Sequence, residues 1–176
     1  EIGTALLSNV NGKVGFCDAY GLKEGSGTDF SVDLKNKDQI RSRRAFTLFA
    51  GVLRANSTLI RLTLASVQPE HIDVLAEALA TNTTLQELVI EQPSKTAETA
   101  ISTLPVQELN GQKQVEMVDL SKAGLKQADG THQPCHRHAC GVIGAILGAS
   151  KNSSIRRLKI DPGGGADGGM IVDHLN

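Results

Sequence analysis

The stretch "LRANSTLIRLTL" at residues 53–64 returns 26 residues later as "LATNTTLQELVI" at 79–90. Leu53 aligns with Leu79, Asn56 with Asn82, Leu59 with Leu85, Leu62 with Leu88 and Leu64 with Ile90. A third copy, "SKNSSIRRLKI" at 150–160, keeps Asn152, Ile155, Leu158 and Ile160 in the same places. A weaker fourth, "QVEMVDL" at 114–120, holds Val115, Val118 and Leu120, and "GKVGFCDAYGL" at 12–22 is a candidate fifth. Self-similarity of this length marks an array in which no unit can bury its apolar side alone.

The spacing L-x-x-L-x-L has a physical reading. Its last two apolar residues lie two apart and so point to one side of a strand. Each strong copy follows a stretch with helical character: 43–56, 70–82 and 140–152. In the second, Ile72, Leu75, Ala76 and Leu79 recur at helical spacing. Pro69 and Glu70 suit a helix start, the proline by its fixed φ and the acid by the dipole. The Asn at each helix-to-strand junction fits a residue that tolerates the left-handed conformation. All three junctions also match the glycosylation acceptor N-x-[ST], but a turn residue repeated in register accounts for them without sugars.

The strand–turn–helix units "LIRLTL", "LQELVI" and "IRRLKI" resemble the leucine-rich-repeat family, of the ribonuclease-inhibitor-like type, over most of residues 43–160. Residues 1–22 and 104–125 further resemble divergent leucine-rich-repeat proteins of dinoflagellate-type algae. The resemblance implies an α/β leucine-rich-repeat solenoid of about five irregular units, with a curved parallel sheet on the concave side and helices on the convex side. It also implies a non-enzymatic protein–protein interaction module, a scaffold or a peripheral subunit of a large complex, organellar (such as photosynthetic) or axonemal. Two departures stand out. The family's Asn or Cys after the last strand Leu is replaced by Val67, Pro93, Ala123 and Gly163, so that ladder is missing and the arc should be irregular. The spacing between copies also drifts, from 26 residues to 30 and then 40.

The expected organisation is a single domain over 1–176. Residues 1–42 form an irregular N-terminal unit, 43–160 the repeats with an insertion at 121–140, and 161–176 a Gly-rich C-terminal segment. "FSVDL" at 30–34 alternates as a short strand would. "SKTAETAIST" at 94–103 reads as a helix capped by Ser94 and ended by Pro105, with "VQEL" at 106–109 as a short strand. Within the repeat strands the residues between the leucines face outward. Arg61, Thr63, Glu87, Glu91, Asp119, Arg157 and Lys159 are therefore the candidate protein-interaction residues, and Val89 shares their side.

Composition narrows the function. With 18 basic and 19 acidic residues the net charge is -1, which argues against a general nucleic-acid binder. No apolar run is long enough to span a membrane. Three cysteines fit a reducing, intracellular compartment, cytoplasmic or organellar, better than a disulfide scaffold. No nucleophile elbow, zincin motif or paired-acid motif occurs, so no enzyme, cofactor or small-molecule substrate is expected. "DPGGGADGGM" at 161–170 lacks the Lys of a phosphate loop and reads as a connector.

One segment stands apart. "THQPCHRHAC" at 131–140 holds two of the three cysteines and three of the five histidines. Cys135, His136, His138 and Cys140 are zinc-type ligands, which keeps a metal-binding or redox protein as the alternative function. A closed tetrahedral site within six residues would be strained, and Cys135 and Cys140 could instead pair. The position, in an insertion between a strand and a helix, favours an ordinary loop, with Cys140 buried at the helix start as a small apolar residue.

Overall fold

The computed structural model describes residues 23–24, 29–34, 43–92, 99–124, 133, 135, 137–150, 152–160 and 170–173. In chain order the elements are β1 (Lys23–Glu24), β2 (Asp29–Asp33), α1 (Arg43–Ala55), β3 (Arg61–Ala65), α2 (Pro69–Thr81), β4 (Glu87–Gln92), β5 (Ala100–Pro105), α3 (Val106–Leu109), β6 (Met117–Asp119), α4 (Arg137–Ser150), β7 (Arg157–Ile160) and β8 (Met170–Asp173). The three long helices fall where apolar spacing places them. The candidate repeat at 12–22 and the connector at 161–169 lie outside the described residues.

The expected curved parallel sheet running through five repeats is not what forms. The described strands make two mixed sheets, one of order β1-β2-β3-β4-β5 and one of order β6-β7-β8. The reason lies in the connections. Strands joined through a helix run parallel: β2 with β3, β3 with β4, and β6 with β7. A parallel crossover needs a dozen or so residues. Only 93–99 separate β4 from β5, and only 161–169 separate β7 from β8. Both short connections reverse the chain, and both pairs are antiparallel. β5 thereby takes the edge of β4 that a further parallel strand would need, and β6 starts a second sheet.

The helix expected over 94–103 is therefore corrected for its described part. Residues 100–105 are strand, with Ser102 and Leu104 buried and their neighbours part-exposed, a period of two. β-branched Ile101 and Thr103 suit that pleat. The short strand expected at "VQEL" is one turn of helix, α3, which buries Val106 and Leu109.

Beneath the sheets the core is one cluster. Leu62, Leu64, Leu88 and Ile90 are fully buried, as the repeat pattern predicts, and meet Leu75 and Leu79 of α2 and Phe46 and Leu53 of α1. α2 packs between α1 and α4. Gly141 of α4 permits the closer of these approaches, since a Cβ there would sit 3.0 Å from Ile72 Cδ1. The helix layer is continuous where the sheet layer is broken.

The junction asparagines are not left-handed turn residues, because Asn82 has φ -72 and ψ 129. They are rungs. The Asn82 side-chain amide donates to the carbonyls of Leu53 (2.7 Å) and Asn56 (3.1 Å), 29 and 26 residues back. Its Oδ1 accepts from the N–H groups of Thr84 (2.9 Å) and Leu85 (2.7 Å). Asn56 holds the N–H groups of Thr58 and Leu59 in the same way. Asn110 donates to Leu79 (2.8 Å) and Asn82 (2.9 Å), and Asn152 to Glu108 (2.9 Å) and Leu109 (3.2 Å). The nitrogen that a glycan would occupy is thus engaged at Asn82 and Asn152. Gly111 fits this scheme: its φ is +82, and a Cβ would stand 3.1 Å from Asn152 Cγ. So a ladder exists, built from a position other than the one whose absence the sequence shows.

His71, the third residue of α2, is buried against Phe46, with ring centroids 4.3 Å apart. Its Nδ1 accepts the N–H of Gln68 (3.2 Å), and its own N–H donates to the Gln68 carbonyl (3.0 Å). Ser66, just before this turn, is buried at φ 63, a strained value for a residue with a Cβ. Its N–H donates to the Glu91 carbonyl at 2.8 Å.

Two predictions follow from these contacts. Asn82→Ala leaves the N–H groups of Thr84 and Leu85 without their acceptor and removes one of two donors from each of the Leu53 and Asn56 carbonyls, and should cost about 3 kcal/mol in urea unfolding, whereas Asn56→Ala should cost about 1 kcal/mol. Asn82→Asp, which keeps the acceptor and loses the donors, should fall close to Asn82→Ala. Burial, partly offset by Glu70, lowers the pKa of His71. The folded state thus resists a proton that the unfolded chain takes up near pH ~6.5, so stability is full above that and declines as pH falls toward the depressed folded value. The urea midpoint measured from pH 7.5 to 5 should show this decline, and His71→Phe should flatten it.

Candidate functional site

Among the described residues the helices cover one side of the five-stranded sheet and leave the other open. Its register sets three rows across the open side. The first is Asp29–Arg61–Glu87–Pro105, the second Lys23–Ser31–Thr63–Val89–Thr103, and the third Asp33–Ala65–Glu91–Ile101. Asp29, Ser31 and Arg61 are exposed, and Thr63, Glu87, Glu91, Ile101 and Thr103 are part-exposed. Val89, expected to face outward, is buried, although it sits outside the main core cluster. Its row neighbours Thr63 and Thr103 stand on either side of it, so the open face has an apolar centre and a charged margin.

Arg61 Nη1 lies 3.2 Å from Glu87 Oε2, both side chains being about half exposed. At the end of β4 and β5 a shallow polar groove of about 380 Å³ is lined by Gln86, Glu87, Thr103, Pro105, Gln107, Glu108 and Lys113. Gln107 Nε2 donates to the carbonyls of Thr83 and Thr84, and Lys113 pairs with Glu108 at 2.7 Å.

The remaining predicted interaction residues stand on the other sheet. Register pairs Met117 with Arg157 and Asp119 with Lys159. Lys159 Nζ lies 3.5 Å from Asp119 Oδ2. The hydroxyl of Ser121, donating to Asp119 at 2.6 Å, is the main cause that holds this carboxyl below its ordinary range, and Lys159 adds to it. Arg61, Thr63, Glu87 and Glu91 therefore share one sheet, and Asp119, Arg157 and Lys159 share another. They do not form one continuous face.

The sheets meet at a seam. Ser102 of β5 bridges to Gly124, and the N–H of Thr103 donates to the Ala123 carbonyl at 2.8 Å. The Cys/His segment borders this seam. Cys135 and Cys140 are free thiols, and Cys140 Sγ donates to the Cys135 carbonyl at 3.7 Å. Cys135 packs against the core, whereas Cys140 is only part-buried, contrary to expectation. Burial, then the neighbouring Cys140 thiol, pushes Cys135 up to about 12, against the lowering effect of a hydrogen bond with Ser102. Burial and the adjacent Arg137 lower the pKa of His138. His136 lies outside the described residues. Among the described residues no group of three or more His, Cys, Asp or Glu is placed to hold a metal ion, and no helix is long and apolar enough to cross a membrane.

Comparison of the chain with protein-family models, curated proteins and solved structures finds no match to any of them.

Four positions that matter here escaped the sequence pattern. Asn110 stands eight residues before Val118, where the other rungs stand six before their strand Leu, so the register hides it. Ser102 and Thr103 were placed in a helix, although the alternation Ile101-x-Thr103 against Ser102-x-Leu104 carries the strand signal. Gly124 shows its role only in three dimensions, because a Cβ there would run into the backbone of Gln133.

The Arg61–Glu87 pair is half-exposed, so a double-mutant cycle with alanine at both positions should give a coupling of about 0.2–1 kcal/mol. That coupling should fade in about 1 M salt. A coupling well above this range would mean the pair is more enclosed than its exposure indicates.

Proposed function

We propose that the chain is a non-enzymatic protein-interaction module, working as a scaffold or peripheral subunit of a larger assembly. Its docking surface is the open face of the first sheet, and its partner presents a segment rich in Lys and Arg. The observation that carries this reading is the charge of that face. Register places Asp29, Asp33, Glu87 and Glu91 in the rows of that face against Lys23 and Arg61, beside part-exposed Ile101 and buried Val89. An apolar centre with a polar margin is the ordinary anatomy of an interface. Opposite charge on a partner would speed encounter and fix its orientation. The Arg61–Glu87 pair is close to neutral as a unit, so the negative excess of the face rests on the other carboxylates.

The test is affinity purification with the intact chain, followed by cross-linking and measurement of binding to the recovered partner. Asp29→Lys combined with Glu91→Lys should weaken binding at least tenfold and leave the unfolding midpoint close to wild type. Asp119→Lys, on the other sheet, should leave binding unchanged. The reverse pattern, or a partner whose cross-linked segment is acidic, would sink the proposal.

A further inference from the structure

We propose that Cys135 and Cys140 are a dithiol site that small disulfides oxidise, closing a Cys135–Cys140 bond beside the seam between the two sheets. Three observations place the pair. Cys140 is held by the first turns of α4, and its thiol already reaches the backbone of Cys135 at 3.7 Å. The Cys135 side chain packs on the core in the neighbourhood of the Cys140 thiol and the hydroxyl of buried Ser102. Gln133, two residues earlier, lies so close to Gly124 that no Cβ fits there, which sets Gln133 against the seam. A disulfide needs its two Cα atoms roughly 4.4–6.8 Å apart. The 3.7 Å approach of Cys140 Sγ to the Cys135 carbonyl brings the two residues within side-chain reach of each other, and closure of the bond places their Cα atoms in that range.

The chemistry balances as thiol–disulfide exchange. Cys140 loses its proton to solvent and attacks one sulfur of a low-molecular-weight disulfide RSSR, expelling RS⁻, which takes up a proton. Cys135 then gives up its proton and attacks the Cys140 sulfur of the mixed disulfide, expelling the second thiol. Two protein thiols and one RSSR become one protein disulfide and two RSH, with both electrons passing to the small molecule. Cys140 is the point of entry, because burial and its neighbour keep Cys135 protonated. Blocking Cys140 as a mixed disulfide removes the neighbour's share of that effect and leaves the larger share, burial.

The experiment uses the full chain carrying Cys17→Ser, so that two cysteines remain. It is equilibrated with oxidised and reduced glutathione over a range of ratios, trapped with a maleimide, digested with trypsin and weighed. Arg137, exposed between the two cysteines, lets trypsin separate their peptides unless a disulfide joins them. Expected is a joined pair, released by reduction and lighter by two hydrogens. Cys135→Ser should instead stop at a stable glutathione adduct on Cys140, and Cys140→Ser should react far more slowly than either. Thiols that stay free at every ratio, or glutathione on both cysteines with no cross-link, would overturn the proposal. Should a serine variant fail to fold by circular dichroism, the outcome in the Cys17→Ser protein alone decides it.

Discussion

A buried side-chain amide can be satisfied only if donors and acceptors from separate parts of the chain arrive together. Asn82 meets that condition by capping the end of the preceding helix and organising its own turn. The last carbonyls of a helix have no partner within it. Here those of α1 are served by Asn82, those of α2 by Asn110 and those of α3 by Asn152. Each unit therefore completes the one before it. A slip of register would strand several buried polar groups at once, a penalty that apolar contacts alone cannot impose. The leucines supply most of the driving force for collapse, and the amides fix which turn lies against which helix.

Connection length then decides the sheet. The same strand type, with two apolar residues on one side, is laid down parallel when a helix returns the chain and antiparallel when the return is short. β4 and β7 meet their next neighbour through short connections and end up paired antiparallel on that side. Two mixed sheets follow, while α1, α2 and α4 stay packed in sequence and the core stays one cluster. The open face of the first sheet and the seam are both products of that early reversal.

Much of the local structure was legible in the residues. Leu62 and Leu64, Leu88 and Ile90, and Leu158 show the strand period and are buried. Pro69 and Glu70 mark the start of α2. The topology was not legible, because a repeat pattern reports what each strand buries and not which edge it finds. Ser94 and Pro105 look like helix bounds, yet a connection of 93–99 is too short for a crossover and Ile101 and Thr103 favour the pleat. The split of the predicted interaction residues between two sheets follows from that one reversal. The Cys/His segment was visible as composition, whereas the closeness of Cys135 to Ser102, which lies on a strand 33 residues earlier, depends on the seam and has no local signature.

The seam also gives the molecule an uneven mechanical character. Between β5 and the chain after β6, the sheets are tied by the Ser102–Gly124 bridge and the bond from Thr103 to Ala123. On the opposite side α2 lies against α4 along a shared apolar interface. Among the described residues, a load that spreads the two sheets would meet these few backbone ties on the strand side and a broad packed surface on the helix side. The helix layer would then act, among the described residues, as the leaf of a hinge and the seam as its opening edge.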